Sequence, residues 1–193
     1  MRRGIKLRTA QGREQLLRAQ VSPAGRELIA CALRMIDYLD SQLAPLDRQL
    51  IAFARRQPGC LALQALFGVG ETTSGAILAE LGDCRRFQSS DDAVRHCGLD
   101  VTVFSSDGRR AAGHLARQGP EVLRWALYEA AQSAARKSSP EHLYYLRVRE
   151  RIDHNRACLS VARKLCRRAY HILRELGEQA LVPVEPQPIA QAA

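Results

Sequence analysis

The chain has 193 residues, a formal net charge of +9, and 46% apolar but only 5% aromatic residues. That length buries one compact core with an extension, and an Ala/Leu-rich composition favours helices over a sheet sandwich. The positive balance is carried by arginine more than lysine, whose planar fork suits phosphate, so an anionic partner is expected instead of a small metabolite. Charge alone does not separate DNA from RNA, and a merely solubilising basic surface is the plain alternative. No apolar run reaches the roughly 18 residues needed to span a bilayer. The arginine-rich start also lacks the apolar segment of a secretion signal, so an intracellular protein with no membrane partner is expected. Cys31, Cys60, Cys84, Cys97, Cys158 and Cys166 lie singly, with no metal-ligand spacing, and read as small core residues. His142 and His154 are the histidines that could join Cys158 or Cys166 in space; surface histidines are the simpler reading.

Residues 1–21 hold Arg2, Arg3, Lys6, Arg8, Arg13 and Arg18 against Glu14 alone, and read as a basic arm or the cut end of something longer. From Ser22-Pro23 to Gln57, Leu28, Ala32, Met35, Leu39, Leu43, Leu46, Leu50 and Phe53 recur at steps of three or four. This is the pattern of a long amphipathic helix or coiled coil, with a kink or break expected near Ala44 because Pro45 follows. A helical domain is expected over residues 60–177. It begins with an apolar run, Leu61 to Phe67, then Gly68-Val69-Gly70, then a helix from about Thr72 to Leu81 ended by Gly82. Two short helices around a Gly-x-Gly turn make a helix-hairpin-helix candidate. Its glycines let the backbone approach a phosphate, and amides at the start of the second helix point outward as donors. An ordinary tight turn has the same local sequence.

Ser89-Ser90-Asp91-Asp92 supplies caps for a short helix through His96, ending before Gly98. Val101-Thr102-Val103-Phe104 is the one β-branched and aromatic run of the domain, and Ser105-Ser106-Asp107-Gly108 should turn it sharply. Past Gly113 and Gly119, Pro120 opens a helix carrying Leu123, Ala126, Leu127, Ala130 and Ala134. A further helix follows Ser139-Pro140-Glu141. The last runs from Cys158 to Leu176, with Arg163, Lys164, Arg167 and Arg168 on its outer face and Gly177 as the stop. Residues 178–193, rich in proline, read as a disordered tail. The fold class expected is therefore mainly α: a long amphipathic or coiled-coil helix, then a helical domain with a helix-hairpin-helix element and a short β/turn segment.

Ser106 is the residue that could act as a nucleophile, attacking a phosphodiester if a neighbour removes its proton and cations stabilise the charge developing on phosphorus. Arg109, Arg110, His114, Arg117 and Arg124 are the surrounding candidates for a phosphate path. Judged on local sequence alone, Ser106 is also an ordinary turn serine, Asp107 a turn cap, and the arginines solvated surface charge. Trp125 reads as core or interface. Asp83, Asp91, Asp92 and Asp100 are explained by turns and caps.

Leu66-Phe67-Gly68-Val69-Gly70, Gly82-Asp83-Cys84-Arg85-Arg86-Phe87, His96-Cys97-Gly98-Leu99, Ser106, Gly113 through Gly119, Leu123 through Leu127, and Ser160 through Leu165 together resemble the carboxy-terminal domain of the IS110/IS116/IS902 family of transposases. The resemblance covers roughly Leu61 to Leu176. It implies a serine nucleophile at Ser106, with Ser105 as the alternative register; Gly68, Val69, Gly70, Arg109, Arg110, His114, Arg117 and Arg124 stand as the nucleic-acid contacts expected from the residues themselves. It also implies DNA and a structured guide RNA as partners, a homo-oligomer or an intact transposase chain as a further one, and a nucleoid-associated cytoplasmic setting. In such families an amino-terminal ribonuclease-H-like domain carries acidic metal ligands. Nothing before Ser22 has that pattern, so this chain is expected to be a truncated or split transposase. It would bind no cofactor alone and would meet Mg2+ only through that acidic domain. The sequence departs from the family in Asp100-Val101 after Gly98-Leu99, in Asp107 directly after Ser106, and in Pro120 after Gly119. A nonenzymatic helix-hairpin-helix module and an inactive transposase remnant are the competing functional readings.

Overall fold

The computed structural model describes residues 9–102, 105–106, 109–110, 114–115 and 118–183, with side chains described at 9–100, 115 and 118–183. It is mainly helical. The chain divides into two units, residues 1–48 and residues 49–193.

In the first unit, α1 (Ala10–Leu17) lies within the stretch read as a patternless arm. Thr9 caps it by accepting the Gly12 amide, and Arg13 pairs with Asp37 of the next helix at 2.5 Å. That ion pair joins residues far apart in sequence, which is why local periodicity does not announce the helix. Residues 1–8 of the expected arm lie outside the described residues.

Helix α2 (Pro23–Ala54) is one helix of 32 residues, running through Pro45 without the break expected near Ala44. A proline removes one amide donor, and the long amphipathic flanks on either side hold the helix across that gap. Leu28, Met35, Tyr38, Leu39, Leu43 and Leu46 remain exposed along it.

The second unit packs around α8 (His154–Leu176), which begins a turn earlier than the sequence suggests because Asp153 accepts the Arg156 amide as its cap. Ala157, Cys158, Val161, Ala162, Leu165, Cys166, Ala169, Tyr170 and Leu173 form its buried stripe. Small residues on that stripe allow close approach of the helices α3 (Pro58–Leu63), α5 (Ser90–His96), α6 (Glu121–Gln132) and α7 (His142–Arg149), all of which contact it. Helix α4 (Glu71–Leu81) packs mainly on α6 and α3. Leu63, Ile77, Leu81, Leu99, Leu123, Leu127 and Leu165 are fully or almost fully buried; each buried leucine or isoleucine side chain contributes about 1.5–3 kcal/mol.

Two polar devices fix this packing. Gln57 is fully buried. Its side chain donates to the Val182 carbonyl at 3.1 Å and accepts the Val182 amide at 2.7 Å, so the chain stays pinned to Val182, inside the 178–193 stretch expected as a disordered tail, whose first residues also form a 3-10 turn over Gly177–Ala180. Residues 184–193 of that tail lie outside the described residues. Glu141, only 2% exposed, lies between Lys164 at 2.7 Å and Arg168 at 2.5 Å on α8. The Arg168 contact is an ion pair without hydrogen-bond geometry at Oε1. Cys97 and Cys166 are neighbouring free thiols, sulfur to sulfur 3.3 Å; the hydrogen bond with Cys97, and then burial, push the Cys166 thiol far above its ordinary range. No helix among the described residues is long and apolar enough to cross a membrane.

Candidate nucleic-acid interface

Helix α3 ends at Leu63, earlier than the apolar run to Phe67 suggests, and α4 begins at Glu71; Gly68-Val69-Gly70 lie in the connection between them, and the three residues have three different environments. Gly68 has φ +90, and a Cβ there would stand 2.2 Å from Ser133 Oγ and 2.5 Å from the Ala130 carbonyl oxygen. Glycine is therefore demanded by the close approach of the turn to the end of α6. Val69 is buried, and its amide donates to the Leu66 carbonyl at 3.0 Å. Gly70 is the cap residue of α4; its amide donates to Thr73 Oγ1 at 2.8 Å, and a Cβ there would meet open space. Gly70 and the first turn of α4 are thus the part of the turn that a backbone phosphate could approach. Glu71 stands in that first turn and pairs with Arg55 at 2.6 Å, so its negative charge competes with an incoming phosphate for the helix start.

The serine segment rises from a clamped base. Helix α5 is opened by a reciprocal cap, in which Ser89 accepts the Asp92 amide and Asp92 accepts the Ser89 amide. It ends at Cys97, after which Gly98 takes φ +65, and a Cβ on Gly98 would lie 2.2 Å from the Gln118 carbonyl oxygen. On the returning side Gly119 has φ +111, and its Cβ would lie 2.0 Å from the His96 carbonyl oxygen. Each strand of the neck thus presses a glycine against the other's backbone. Arg124 of α6 reinforces the neck by donating to the Cys97 carbonyl at 3.2 Å. This candidate phosphate ligand therefore already holds the end of α5.

Above the neck, β1 (Val101–Thr102) pairs antiparallel with β4 (His114–Leu115), and β2 (Ser105–Ser106) with β3 (Arg109–Arg110). The register sets Ser106 opposite Arg109, Ser105 opposite Arg110, and Thr102 opposite His114. The strand expected over 101–104 is thus seen as Val101–Thr102. Val103, Phe104, Asp107, Gly108, Gly113 and Arg117 lie outside the described residues. The backbone pairs Ser105 and Ser106 with Arg110 and Arg109 in one two-stranded sheet, and His114 with Thr102 in another. It carries Gly68, Val69 and Gly70 on a different turn of the same unit.

Arginines of α8 add charge that periodicity alone did not organise into a site. Arg163 Nε donates to the Leu99 carbonyl, tying α8 to the chain just before the ribbon. Arg167 pairs with Asp91 at 2.9 Å, and Arg174 donates to the Phe87 carbonyl at 3.0 Å. Trp125, expected as core or interface, is 49% exposed on α6, while Tyr128 on the same helix donates to Asn155 at 3.0 Å. His154 approaches Cys158 at 3.8 Å and bonds Tyr145 Oη at 2.7 Å. Among the described residues no group of three or more His, Cys, Asp or Glu side chains is arranged to hold a metal ion.

Residues 60–146 match the sequence profile described as Transposase IS116/IS110/IS902 family. The chain is 25% identical over 148 residues to the "Transposase for insertion sequence element IS1111A" of Coxiella burnetii, covering 75% of this chain and 41% of that protein. It is 27% identical over 125 residues to the "Insertion element IS116 uncharacterized 44.8 kDa protein" of Streptomyces clavuligerus, covering 64% and 31%. To the "Probable family 20 transposase" of Pseudomonas aeruginosa it is 26% identical over 98 residues, covering 51% and 29%. The chain thus spans less than half the length of each of these relatives.

Proposed function

We propose, from the match of residues 60–146 to the IS116/IS110/IS902 transposase family, that the chain is a DNA-handling portion of a transposase that supplies the serine for strand cleavage and rejoining. The observation that carries this reading is the register of the ribbon, which sets Arg109 opposite Ser106 on a stem clamped at Gly98 and Gly119. A nucleophilic hydroxyl needs a fixed position and positive charge near the phosphorus it attacks.

In this reading Ser106 Oγ attacks the phosphorus of a DNA phosphodiester, and its proton passes to a base, for which His114 is the candidate. The Oγ–P bond forms as the bond from phosphorus to one deoxyribose oxygen breaks. That oxygen takes up a proton and leaves as a hydroxyl. Arg109 and Arg110 offset the charge on the phosphoryl oxygens. Attack by a strand hydroxyl on the phosphoserine reverses the sequence and restores the serine. Arg117, and the exposed Gly70 edge of a helix-hairpin-helix, would hold flanking phosphates. A structured guide RNA is a further polyanion for the same basic surface. Mg2+ belongs to a separate acidic domain, and no step here passes through it. The exposed apolar face of α2 would pair with a second copy or an intact transposase chain as a coiled coil. The setting proposed is the nucleoid.

Labelled DNA incubated with this chain and an acidic nuclease-like transposase partner tests the reading. A protein–DNA adduct that survives denaturing electrophoresis is expected for the wild type and lost in Ser106→Ala. An undiminished adduct in Ser106→Ala contradicts it.

A further inference from the structure

Asp91, Val94, Arg95, Asp100, Arg163 and Arg167 line a groove of about 400 Å³ between α5 and α8. Its charges are unevenly satisfied. At the rim, Arg167 is paired with Asp91 and Arg95 with Asp92, both at 2.9 Å. Deeper in the groove, Asp100 Oδ1 is buried and has no hydrogen-bond partner. Arg163 spends its Nε on the Leu99 carbonyl, and its terminal nitrogens make no hydrogen bond or ion pair with any described residue. Burial pulls the Arg163 guanidinium below the ordinary arginine range; Tyr144 opposes that shift, Arg167 adds to it, and the Asp100 charge opposes it least. An unsatisfied buried acceptor and a partly desolvated donor both gain when a ligand supplies the missing partners.

The mixed charge selects the kind of ligand. A bare anion would have to lie beside the unpaired Asp100 carboxylate, and a bare cation beside three guanidinium groups. A neutral planar group with donors on one edge and acceptors on another meets both demands. Among nucleobases, guanine alone presents two adjacent N–H donors, on N1 and N2, that a carboxylate can accept together, and it offers O6 and N7 as acceptors for arginine. Val94, buried in α5, gives the groove an apolar wall. Arg95 and Arg167 at the rim are placed for flanking phosphates.

We infer that this groove receives an unpaired guanine of a nucleic-acid strand, with Asp100 accepting from its N1 and N2 donors and Arg163 donating to its acceptor edge. The inference rests on the nucleic-acid reading above and adds base selection to it. Because Asp100 directly precedes β1, a strand held here is anchored at the foot of the serine ribbon.

The test is fluorescence anisotropy of the full chain with labelled single-stranded thymine-rich octamers carrying guanine, adenine or hypoxanthine at the same two positions, as DNA and as uracil-rich RNA. Guanine octamers are expected to bind about tenfold tighter than adenine octamers, in line with one bidentate base contact, in at least one of the two strand chemistries. Hypoxanthine, which lacks the 2-amino group, should lose most of that preference, a readout needing no variant. Asp100→Asn should abolish the preference for guanine over adenine, read as the ratio of the two affinities, while leaving the helical circular dichroism unchanged. Salt-sensitive binding that is indifferent to the base overturns this inference and leaves the nucleic-acid reading standing. Failure to bind any octamer overturns both.

Discussion

Gly98 and Gln118 touch backbone to backbone: a Cβ on Gly98 would lie 2.2 Å from the Gln118 carbonyl oxygen. Together with Gly119 against His96, this contact closes the base of the segment that carries Ser105 and Ser106. Both glycines have positive φ, so alanine at either site meets strain and collision at once. Gly98→Ala and Gly119→Ala should each lower stability by about 2–4 kcal/mol, read from urea denaturation. A loss under about 0.5 kcal/mol would show that the neck opens freely.

The two glycines of the α3–α4 turn should separate sharply. Gly68→Ala collides with Ser133 and Ala130 at φ +90 and should cost about 2–4 kcal/mol. Gly70→Ala points a methyl into open space and should cost no more than about 1 kcal/mol as a cap change. If Gly70 is the phosphate-facing member, Gly70→Val should weaken DNA binding while leaving the melting temperature nearly unchanged. Equal stability losses at both positions would contradict the assignment of separate roles.

Glu141 is a buried carboxylate held by two partly exposed cations of α8. Glu141→Gln removes both ion pairs but leaves Lys164 and Arg168 able to hydrate. The expected loss is therefore about 1–2 kcal/mol, below the figure for a fully buried pair. Thermal denaturation at neutral pH checks it, and an unchanged midpoint would mean that the pair contributes nothing.

Asp83 gives a pH signature with a definite sign. Hydrogen bonds from the Arg85 side chain and amide lower its pKa to about 2. A carboxylate depressed in the folded state adds stability that is present above its unfolded pKa of about 4 and lost as pH falls towards 2. Asp83→Asn should flatten stability against pH across that window and leave the slope above pH 5 unchanged. A wild-type slope retained in full between pH 4 and pH 2 would contradict the contribution.

What was legible in the sequence was what neighbours in sequence decide. The Ser89–Asp92 cap, the apolar stripes of α6 and α8, the stop at Gly177, and a turn at Gly68-Val69-Gly70 are all local signals, and each has its element in the structure. What was hidden depends on partners distant along the chain. Arg13 of helix α1 meets Asp37 of α2. The reason for Gly68 is Ser133, the work of Arg124 is the Cys97 carbonyl, and Asp100 shares a groove with Arg163. Trp125, whose sequence context fits core or interface alike, is half exposed and so not core. Val101–Thr102 is strand as its β-branched residues predict, but Ser105–Ser106, expected to turn, are strand instead, because they pair with Arg109–Arg110, a register that local sequence does not announce.

Arg109 and Arg110 should matter to DNA through charge. Replacing both with glutamine should reduce the salt dependence of DNA binding, measured as log affinity against log salt, by about one to two ions released. An unaltered slope would place the phosphate path elsewhere.

The central claim is that one hydroxyl of the ribbon becomes joined to DNA. Peptide mapping by mass spectrometry of the adduct formed with a DNA substrate carrying a leaving group that cannot rejoin identifies which one. A deoxynucleotide-phosphate mass on Ser106, kept in Ser105→Ala and absent in Ser106→Ala, is the expected result. The mass on Ser105, on any other residue, or on no serine at all while the DNA is cut, would contradict it.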